Sequence, residues 1–406
     1  MSKRLLTVLG GSKCVSLPVN LLSTPQTVLE SFDTVGEWSA YSGTPTIEAE
    51  TTIKKEGLAS LKITTAAGET TIVQKTVTLD ISATEAIRIS YYVPDTSKLT
   101  SIGLLFSRST FFSGIVKFFA GVGSPIIQGW NTISLPRSLF TEDNTTWEFL
   151  VIRIGLQITP ASGQVCTVYI DNLTTGILSN PVCLMTFDDE SSTVLTKAYP
   201  VMAPLKARGT IYTITDLIGD VGKMTLADLV SLDGKGWDIA NHTKDHTNLS
   251  TLAQALQEAE FTDAKAVLDA AGLTRASSHV AYPGGVYNAD TLLAMAATGM
   301  LTGRTVLNGN YEVMPFGDNY YLQCKIYLTN KLTLVDAKKM VDAAILRGAV
   351  IAIVGHVLVD SGASTNEWNV ADFQALMQYI VSKCVPFVTI SELYTLLTET
   401  VKVKIK

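Results

Sequence analysis

Val182-Cys183-Leu184-Met185-Thr186-Phe187-Asp188-Asp189 is an unbroken, mostly apolar run that closes on two carboxylates. Val182 to Thr186 reads as a strand buried on both faces, because parallel strands covered by helices carry no alternating polar face. The segments that follow keep to that reading. Thr193 to Ala207 has helical periodicity and ends near Gly209, Thr210 to Ile214 is a second strand, Leu226 to Leu232 a helix and Trp237 to Ala240 a third strand. Thr251-Leu252-Ala253-Gln254 has the form of a capping box, opening a helical face of Leu252, Leu256, Ala259, Val267 and Leu268 that stops at Gly272. Val280 to Tyr282, Val350 to Val354 and Phe387 to Ile390 continue the strands, and Asp290 to Ala297, Asp336 to Leu346 and Phe373 to Lys383 the helices. Strands alternating with helices predict a parallel sheet, here an α/β distorted (β/α) barrel over residues 181–398.

The rhythm before Pro181 is different. Leu58 to Thr65, Thr71 to Leu79, Ala86 to Val93, Ile102 to Phe106, Trp130 to Leu135, Phe149 to Gln157 and Cys166 to Leu173 alternate with period two, broken by Gly, Pro, Ser and Asn. Strands at such spacing predict an all-β sandwich over residues 26–178. The chain is therefore expected to be multidomain, with residues 1–25 as an attachment or disordered segment ahead of the sandwich.

In a barrel of this kind the active site lies at the C-terminal ends of the strands. Asp188, Asp189, His242, Gly284 and His356 each fall just after a predicted strand. His242-Thr243-Lys244-Asp245-His246 offers two imidazoles four residues apart, and Asp189 adds a carboxylate. A His₂-carboxylate set holds one divalent metal ion and leaves a position open for water. Zinc is the first expectation, with cobalt, nickel or manganese as alternatives. Neighbouring residues at a strand end point in opposite directions, so Asp188 is left to act as a base. Of the four histidines, His279 is read as structural.

These residues resemble a known family. Thr186-Phe187-Asp188-Asp189 resembles the first motif of the polysaccharide deacetylases, the family-four carbohydrate esterases with the NodB-homology fold. His242-Thr243-Lys244-Asp245-His246 matches their second motif, and Val280-Ala281-Tyr282-Pro283-Gly284-Gly285 is similar to the Ala-Tyr-Pro variant of the third. Ile351-Ala352-Ile353-Val354-Gly355-His356 resembles the fifth, and Pro386-Phe387-Val388-Thr389-Ile390-Ser391-Glu392-Leu393 the closing strand and helix start. The resemblance implies metal-dependent hydrolysis of N-acetyl groups, with O-acetyl also open, on a cell-surface polysaccharide. It gives Asp188 the role of base and His356 that of the acid that protonates the departing nitrogen. Asp189, His242 and His246 would hold the metal, Gly284 with Tyr282 and Pro283 would face oxyanion and substrate, and Thr243 would steady the metal loop.

Two departures from the family pattern stand out. The Arg of the third motif is Ala281, which predicts that no guanidinium is available there to orient Asp188. No fourth motif is recognisable between Met314 and Leu328, leaving Asp318 and Asp360 as candidates to pair with His356. Upstream, Glu56-Gly57-Leu58-Ala59-Ser60-Leu61-Lys62, Trp130-Asn131-Thr132-Ile133 and Val168-Tyr169-Ile170-Asp171-Asn172-Leu173 resemble the jelly rolls of carbohydrate-binding modules. Trp38, Tyr41, Phe111, Phe112, Trp130 and Trp147 are then either sugar-stacking platforms or core aromatics.

Composition narrows the setting. Hydrophobic residues make up 47% of the 406 and charged residues 17%, and no apolar run approaches the ~18–20 residues that span a bilayer. A net charge of −6 without a basic block argues against a nucleic-acid partner. The five cysteines are scattered without a Cys-x-x-Cys pair and read as buried thiols. Lys3 and Arg4 precede a short apolar run, but Gly10-Gly11-Ser12-Lys13 interrupts it before it reaches the length of a signal-peptide core. The expected location is extracellular or virion-associated, for example on a phage tail, with a cytoplasmic one left open. The expected partners are an N-acetylated polysaccharide and either a second copy of the chain or a virion component. Two other readings compete: an amidohydrolase acting on a small-molecule amide, and a non-catalytic glycan-binding or virion attachment protein. The upstream sandwich weighs against the first, and Asp188 and His356 beside a complete ligand set weigh against the second.

Overall fold

The structure, a computed structural model, describes residues 27–84, 86–121, 126, 128–176, 181–308, 312–313 and 322–403. The expected N-terminal segment 1–25 lies outside them. The described residues fall into two compact units, one within 27–176 and one from 181 onward.

The first unit is built from two antiparallel six-stranded sheets. One carries Thr46–Glu50, Ser60–Thr64, Thr167–Gly176, Ala86–Val93 and Gly129–Pro136 in that spatial order, with Val28–Glu30 also paired to Thr167–Gly176. The other runs Thr141–Asp143, Ile115–Ala120, Leu99–Ser107, Leu150–Pro160, Thr71–Asp80, Ser39–Ser42. Alternation explains the layering. In Ala86–Val93, Ile87, Ile89, Tyr91 and Val93 enter the core that the sheets share, while Arg88, Ser90 and Tyr92 lie on the opposite face. Each long strand was foreshadowed by its period-two run. The strands at 28–30, 39–42 and 141–143 carry too few residues for a period to show, Ile115–Ala120 lacks a clean alternation, and Thr46–Glu50 was not assigned.

Two of the aromatics considered as sugar platforms belong to this core. Trp147 is fully buried against Phe140 and Phe106, and its Nε1–H donates to the Ile81 carbonyl at 2.9 Å. Trp38 is buried and stacked on Phe32.

The second unit is a parallel sheet bent almost into a closed barrel. Its order is Ala349–Gly355, Val182–Asp188, Thr210–Thr213, Asp238–Asn241, Ala276–Ala281, Thr302–Asn308, Leu322–Cys324, with the short antiparallel Glu312–Val313 on the outer side of the first. Leu322–Cys324 pairs with Thr302–Asn308, and Ile326–Tyr327, two residues on, pairs with Ala349–Gly355 at the other edge. That short stretch brings the two edges together. Val182–Asp188 is buried throughout, as its uninterrupted apolar character requires. Thr186 Oγ1 donates to the Ile353 carbonyl at 2.8 Å, which ties the strand bearing the carboxylates to the one bearing His356.

Three expectations need correction. The helix predicted at 193–207 is a π turn, a short α-helix and a 3₁₀ turn in succession, broken where Pro200 and Pro204 interrupt the backbone ladder. The helix Gln254–Ala270 has Ala253 as N-cap with no side-chain cap. Thr251 closes a preceding 3₁₀ turn and donates to the Asn248 carbonyl instead, so the capping box is absent. Cys166, Cys183 and Cys324 are buried thiols, whereas Cys384 is disulfide-bonded.

Independent cores predict independent melting. Phe106→Ala, a wholly buried side chain of the sandwich, should cost about 3–5 kcal/mol. In calorimetry it should lower one thermal transition and leave a second in place. A single transition that moves as a whole would contradict separate cooperative units.

Candidate metal centre and active site

Asp188 ends its strand as a buried residue, and the chain then turns sharply through Asp189 and Glu190, both at positive φ (68° and 36°). Left-handed backbone is costly for residues with a Cβ and persists only where surroundings hold it. Here Lys223 Nζ donates to the Asp189 carbonyl at 2.6 Å and lies 3.4 Å from the Glu190 carboxylate, which accepts from the Ile214 backbone N–H at 2.7 Å. Burial pushes the Glu190 carboxyl up to about 7, against the pull of that N–H and of Lys223. The turn aims Asp189 away from Asp188.

The second group of donors rides on the loop after Asp238–Asn241. His242 Nδ1 lies 2.8 Å from the Ala281 carbonyl, an acceptor only, so Nδ1 carries the proton and Nε2 keeps its lone pair. Burial holds the His242 imidazole below its usual range, outweighing the nearby carboxylates, and so keeps it neutral. Thr243 and His246 both adopt positive φ. The loop is braced from three sides. Asn241 Oδ1 accepts from the Thr243 N–H at 2.8 Å, Thr243 Oγ1 from the His246 N–H at 3.1 Å, and Glu260 from the N–H groups of Lys244 and Asp245 at 3.0 and 3.2 Å.

The result is a convergence of lone pairs. Asp189 Oδ1 lies 3.5 Å from His242 Nε2 and 3.8 Å from His246 Nε2, and it is buried without a hydrogen-bond partner. One ligand atom from each of Asp189, His242 and His246 falls within 4.8 Å of the others. Three donor atoms facing one point, one of them a buried orphan, fit a divalent cation.

Beside this cluster sits a second one. Arg304, 1% exposed, donates through Nη2 to Asp188 Oδ1, and its guanidinium lies over the Tyr212 ring at 4.9 Å. Burial would raise the Asp188 carboxyl, but the Arg304 guanidinium beside it outweighs burial and leaves the group below its ordinary value, hence ionised. His356 Nε2 is 3.8 Å from Asp188 Oδ2. A carboxylate fixed by a guanidinium, an imidazole across from it and a candidate metal-binding set alongside are the groups that acid–base hydrolysis requires.

The family model for polysaccharide deacetylase matches residues 176–303. The chain carries a polysaccharide deacetylase domain. It is 32% identical over 131 residues to YxkH of Bacillus subtilis (strain 168), named as a polysaccharide deacetylase, a match covering 32% of this chain and 47% of that protein. The chain thus spans about half the length of the curated relative it matches. Among solved structures, the deacetylase PplD of Streptococcus pyogenes, in complex with acetate, is 27% identical at a TM-score of 0.32, over 34% of this chain and 62% of that one. A family 11 carbohydrate-binding module of Clostridium thermocellum is 12% identical at a TM-score of 0.31, over 38% and 97%.

Ala281 offers Asp188 no guanidinium, but Arg304, just beyond the matched residues, supplies one. Position 281 is Ala, but its register partner on the adjacent parallel strand is Arg304, so the positive charge comes from the next strand over. Sequence reading missed it because no strand was assigned to Thr302–Asn308. The deacetylase family match also ends one residue before Arg304. Glu190, Lys223 and Glu260 were missed too; only Glu190 carried a signal, as a third carboxylate directly after the Asp pair.

The remaining candidates are placed as follows. Tyr282 and Pro283 are buried, Tyr282 in a small core with Phe261, Val280 and Met295, so the Tyr282 ring does not face a substrate. Gly284 is exposed at the apex of the turn with φ 61°, and nothing stands within van der Waals contact of where a Cβ would be except Val286 at 3.9 Å. His279 is buried, with Nδ1 2.8 Å from Thr302 Oγ1, in keeping with a structural residue. Asp360 is paired with Lys197 at 2.5 Å rather than with His356, and Asp318 lies outside the described residues.

Arg304→Ala leaves a buried carboxylate without its counter-charge and should cost about 3–5 kcal/mol. Adding Ala281→Arg to the same chain should recover part of that loss, since the two positions are cross-strand neighbours. Thermal denaturation of the single and double variants checks this, and undiminished stability in Arg304→Ala would contradict the pairing.

Proposed function

We propose that the chain removes N-acetyl groups from a cell-surface polysaccharide, releasing acetate, in a metal-dependent hydrolysis. The observation that carries this reading is the orphaned Asp189 carboxylate facing His242 and His246, next to an ionised, Arg-paired Asp188. Asp189, His242 and His246 would hold the ion; zinc suits two imidazoles and one carboxylate, and cobalt, nickel or manganese are the alternatives. A divalent ion held there supplies Lewis acidity, making water easier to deprotonate and an acyl oxygen more electrophilic. Asp188 takes the proton from the attacking water, with Arg304 fixing the orientation of its carboxylate. His356 delivers a proton to the departing nitrogen from the other side, and the exposed backbone at Gly284 is the candidate to face the oxyanion.

The sandwich is proposed to hold the glycan. Tyr169, Tyr92 and Trp130 are register partners on three adjacent strands, on the face turned away from the core, and their rings are 5.7 and 5.6 Å apart in edge-on pairs. Lys62 continues the same row and pairs with Glu48 at 2.8 Å. Half-buried Trp130 takes over the stacking role considered for Trp38 and Trp147, which the core absorbs. Among this row's possible ligands an N-acetylated polysaccharide suits both units. Carriage on a phage particle belongs to the same proposal as one route by which a chain of this kind reaches a surface glycan.

Acetate release should be measured with chitooligosaccharides, peptidoglycan, poly-N-acetylglucosamine and capsular polysaccharides as substrates. At least one should be deacetylated by the metal-loaded chain and none by the chelated chain. Asp188→Asn and His356→Ala should each lose about a hundredfold or more in kcat with metal still bound. Near-normal kcat in Asp188→Asn would remove it from the role of base.

Trp130→Ala should weaken retention on the insoluble form of the active glycan several-fold while hydrolysis of a short soluble substrate stays unchanged. Unaltered retention would take the aromatic row out of the account.

A further inference from the structure

His356 is held by a residue that no motif supplies. Among the described residues its Nδ1 is buried without a hydrogen-bond partner, so the ring is not oriented from behind as a buried imidazole usually is. The contacts lie on the Nε2 side. Asp188 Oδ2 is 3.8 Å away, and the Tyr327 hydroxyl is closer, at 3.4 Å, with the two rings 5.3 Å apart. Tyr327 comes from Ile326–Tyr327, the short strand that brings the two edges of the barrel together, and its register partner is Val354, two residues before His356. Its hydroxyl also donates to Asn366 Oδ1 at 3.4 Å. Burial, aided by the charges of Asp188 and Asp189, pushes the Tyr327 phenol up to about 12, so it keeps its proton.

The polarity of this chain is set at its far end. An amide oxygen only accepts, so the phenolic O–H is committed to Asn366 and the oxygen's lone pairs face His356. A lone pair there favours the form of His356 that carries a proton on Nε2. We propose that Tyr327 is a positioning residue for the proton donor: its oxygen accepts from Nε2–H and so holds the protonated edge of the His356 ring on the side it shares with Asp188, with Asn366 fixing the direction of the phenol. The proposal rests on the reading of His356 as the acid. In the transfer, His356 acts as the imidazolium: its Nε2–H leaves the Tyr327 oxygen, the Nε2–H bond breaks and an N–H bond forms on the departing amine. His356 is left neutral, and Tyr327 neither gains nor loses a proton.

The fully metal-loaded chain and its Tyr327→Phe and Asn366→Ala variants separate this role from a packing role. Tyr327→Phe keeps the ring and removes only the hydroxyl. On an N-acetylated oligosaccharide, kcat should fall about tenfold, the order expected from one lost hydrogen bond, with KM within about twofold. On 4-nitrophenyl acetate, whose leaving group needs no protonation, the same variant should stay within about twofold of the parent. Equal losses on both substrates would make Tyr327 structural and overturn the proposal, as would no loss on either. The ring nitrogen resonances of His356 provide a readout independent of turnover. With four histidines in the chain they can be assigned by substitution, and Tyr327→Phe should move the His356 Nε2 signal while leaving those of His242 and His246 in place. Asn366→Ala should move it in the same direction by less. An unmoved His356 signal would overturn the contact even if the deacetylase reading stands. If the signal moves but the parent chain releases no acetate from any glycan, the contact stands and the assignment of His356 as the acid falls.

Discussion

A carboxylate taken out of water needs a fixed counter-charge, and the site is organised around how Asp188 obtains one. The desolvation of an unpaired carboxylate costs several kcal/mol, more than most single contacts return. Arg304 meets that requirement from Thr302–Asn308, a strand not adjacent to Val182–Asp188 in the sheet but facing it across the barrel, with the Tyr212 ring beneath its guanidinium. Only a barrel closed nearly on itself can place a guanidinium, an imidazole and a carboxylate from separate strands within a few ångströms of one another. The closing stretch Leu322–Tyr327 is thus as important to the site as the motifs.

The turn after Asp188 solves a second problem. Two adjacent carboxylates must serve different partners, and a strand end alone separates them only by its alternation. Positive φ at both Asp189 and Glu190 exaggerates the separation, and the Lys223–Glu190 pair holds the strained backbone in place. The metal loop uses the same device. Thr243 and His246 sit at positive φ, braced by Asn241 and by a glutamate on the helix Gln254–Ala270. Strain at both loops is carried by hydrogen bonds from their surroundings.

Much of this architecture was legible in the sequence, for identifiable reasons. Buried strands such as Val182–Asp188 announce themselves by unbroken apolar character, and the sandwich strands by alternation. Asp189, His242 and His246 could be grouped because each follows a strand that ends on the same side of a parallel sheet. Arg304 and Tyr327 could not. Each sits on a strand too irregular or too short for periodicity to mark, and each acts through a neighbour that is remote in sequence: Arg304 through Asp188, Tyr327 through His356. The aromatic row Tyr169–Tyr92–Trp130 was hidden for the same reason, because register across strands is set by pairing and not by spacing along the chain.

The central claim is that Asp189, His242 and His246 form one metal centre beside an Arg-paired base. X-ray absorption at the metal edge of the zinc-loaded chain tests it most directly. The account predicts one zinc per chain, with two imidazole nitrogens at about 2.0–2.1 Å, the remaining ligands oxygen, and the imidazole signature reduced by half in His246→Ala. A sulfur-containing shell, or an imidazole count unaffected by His246→Ala, would contradict it.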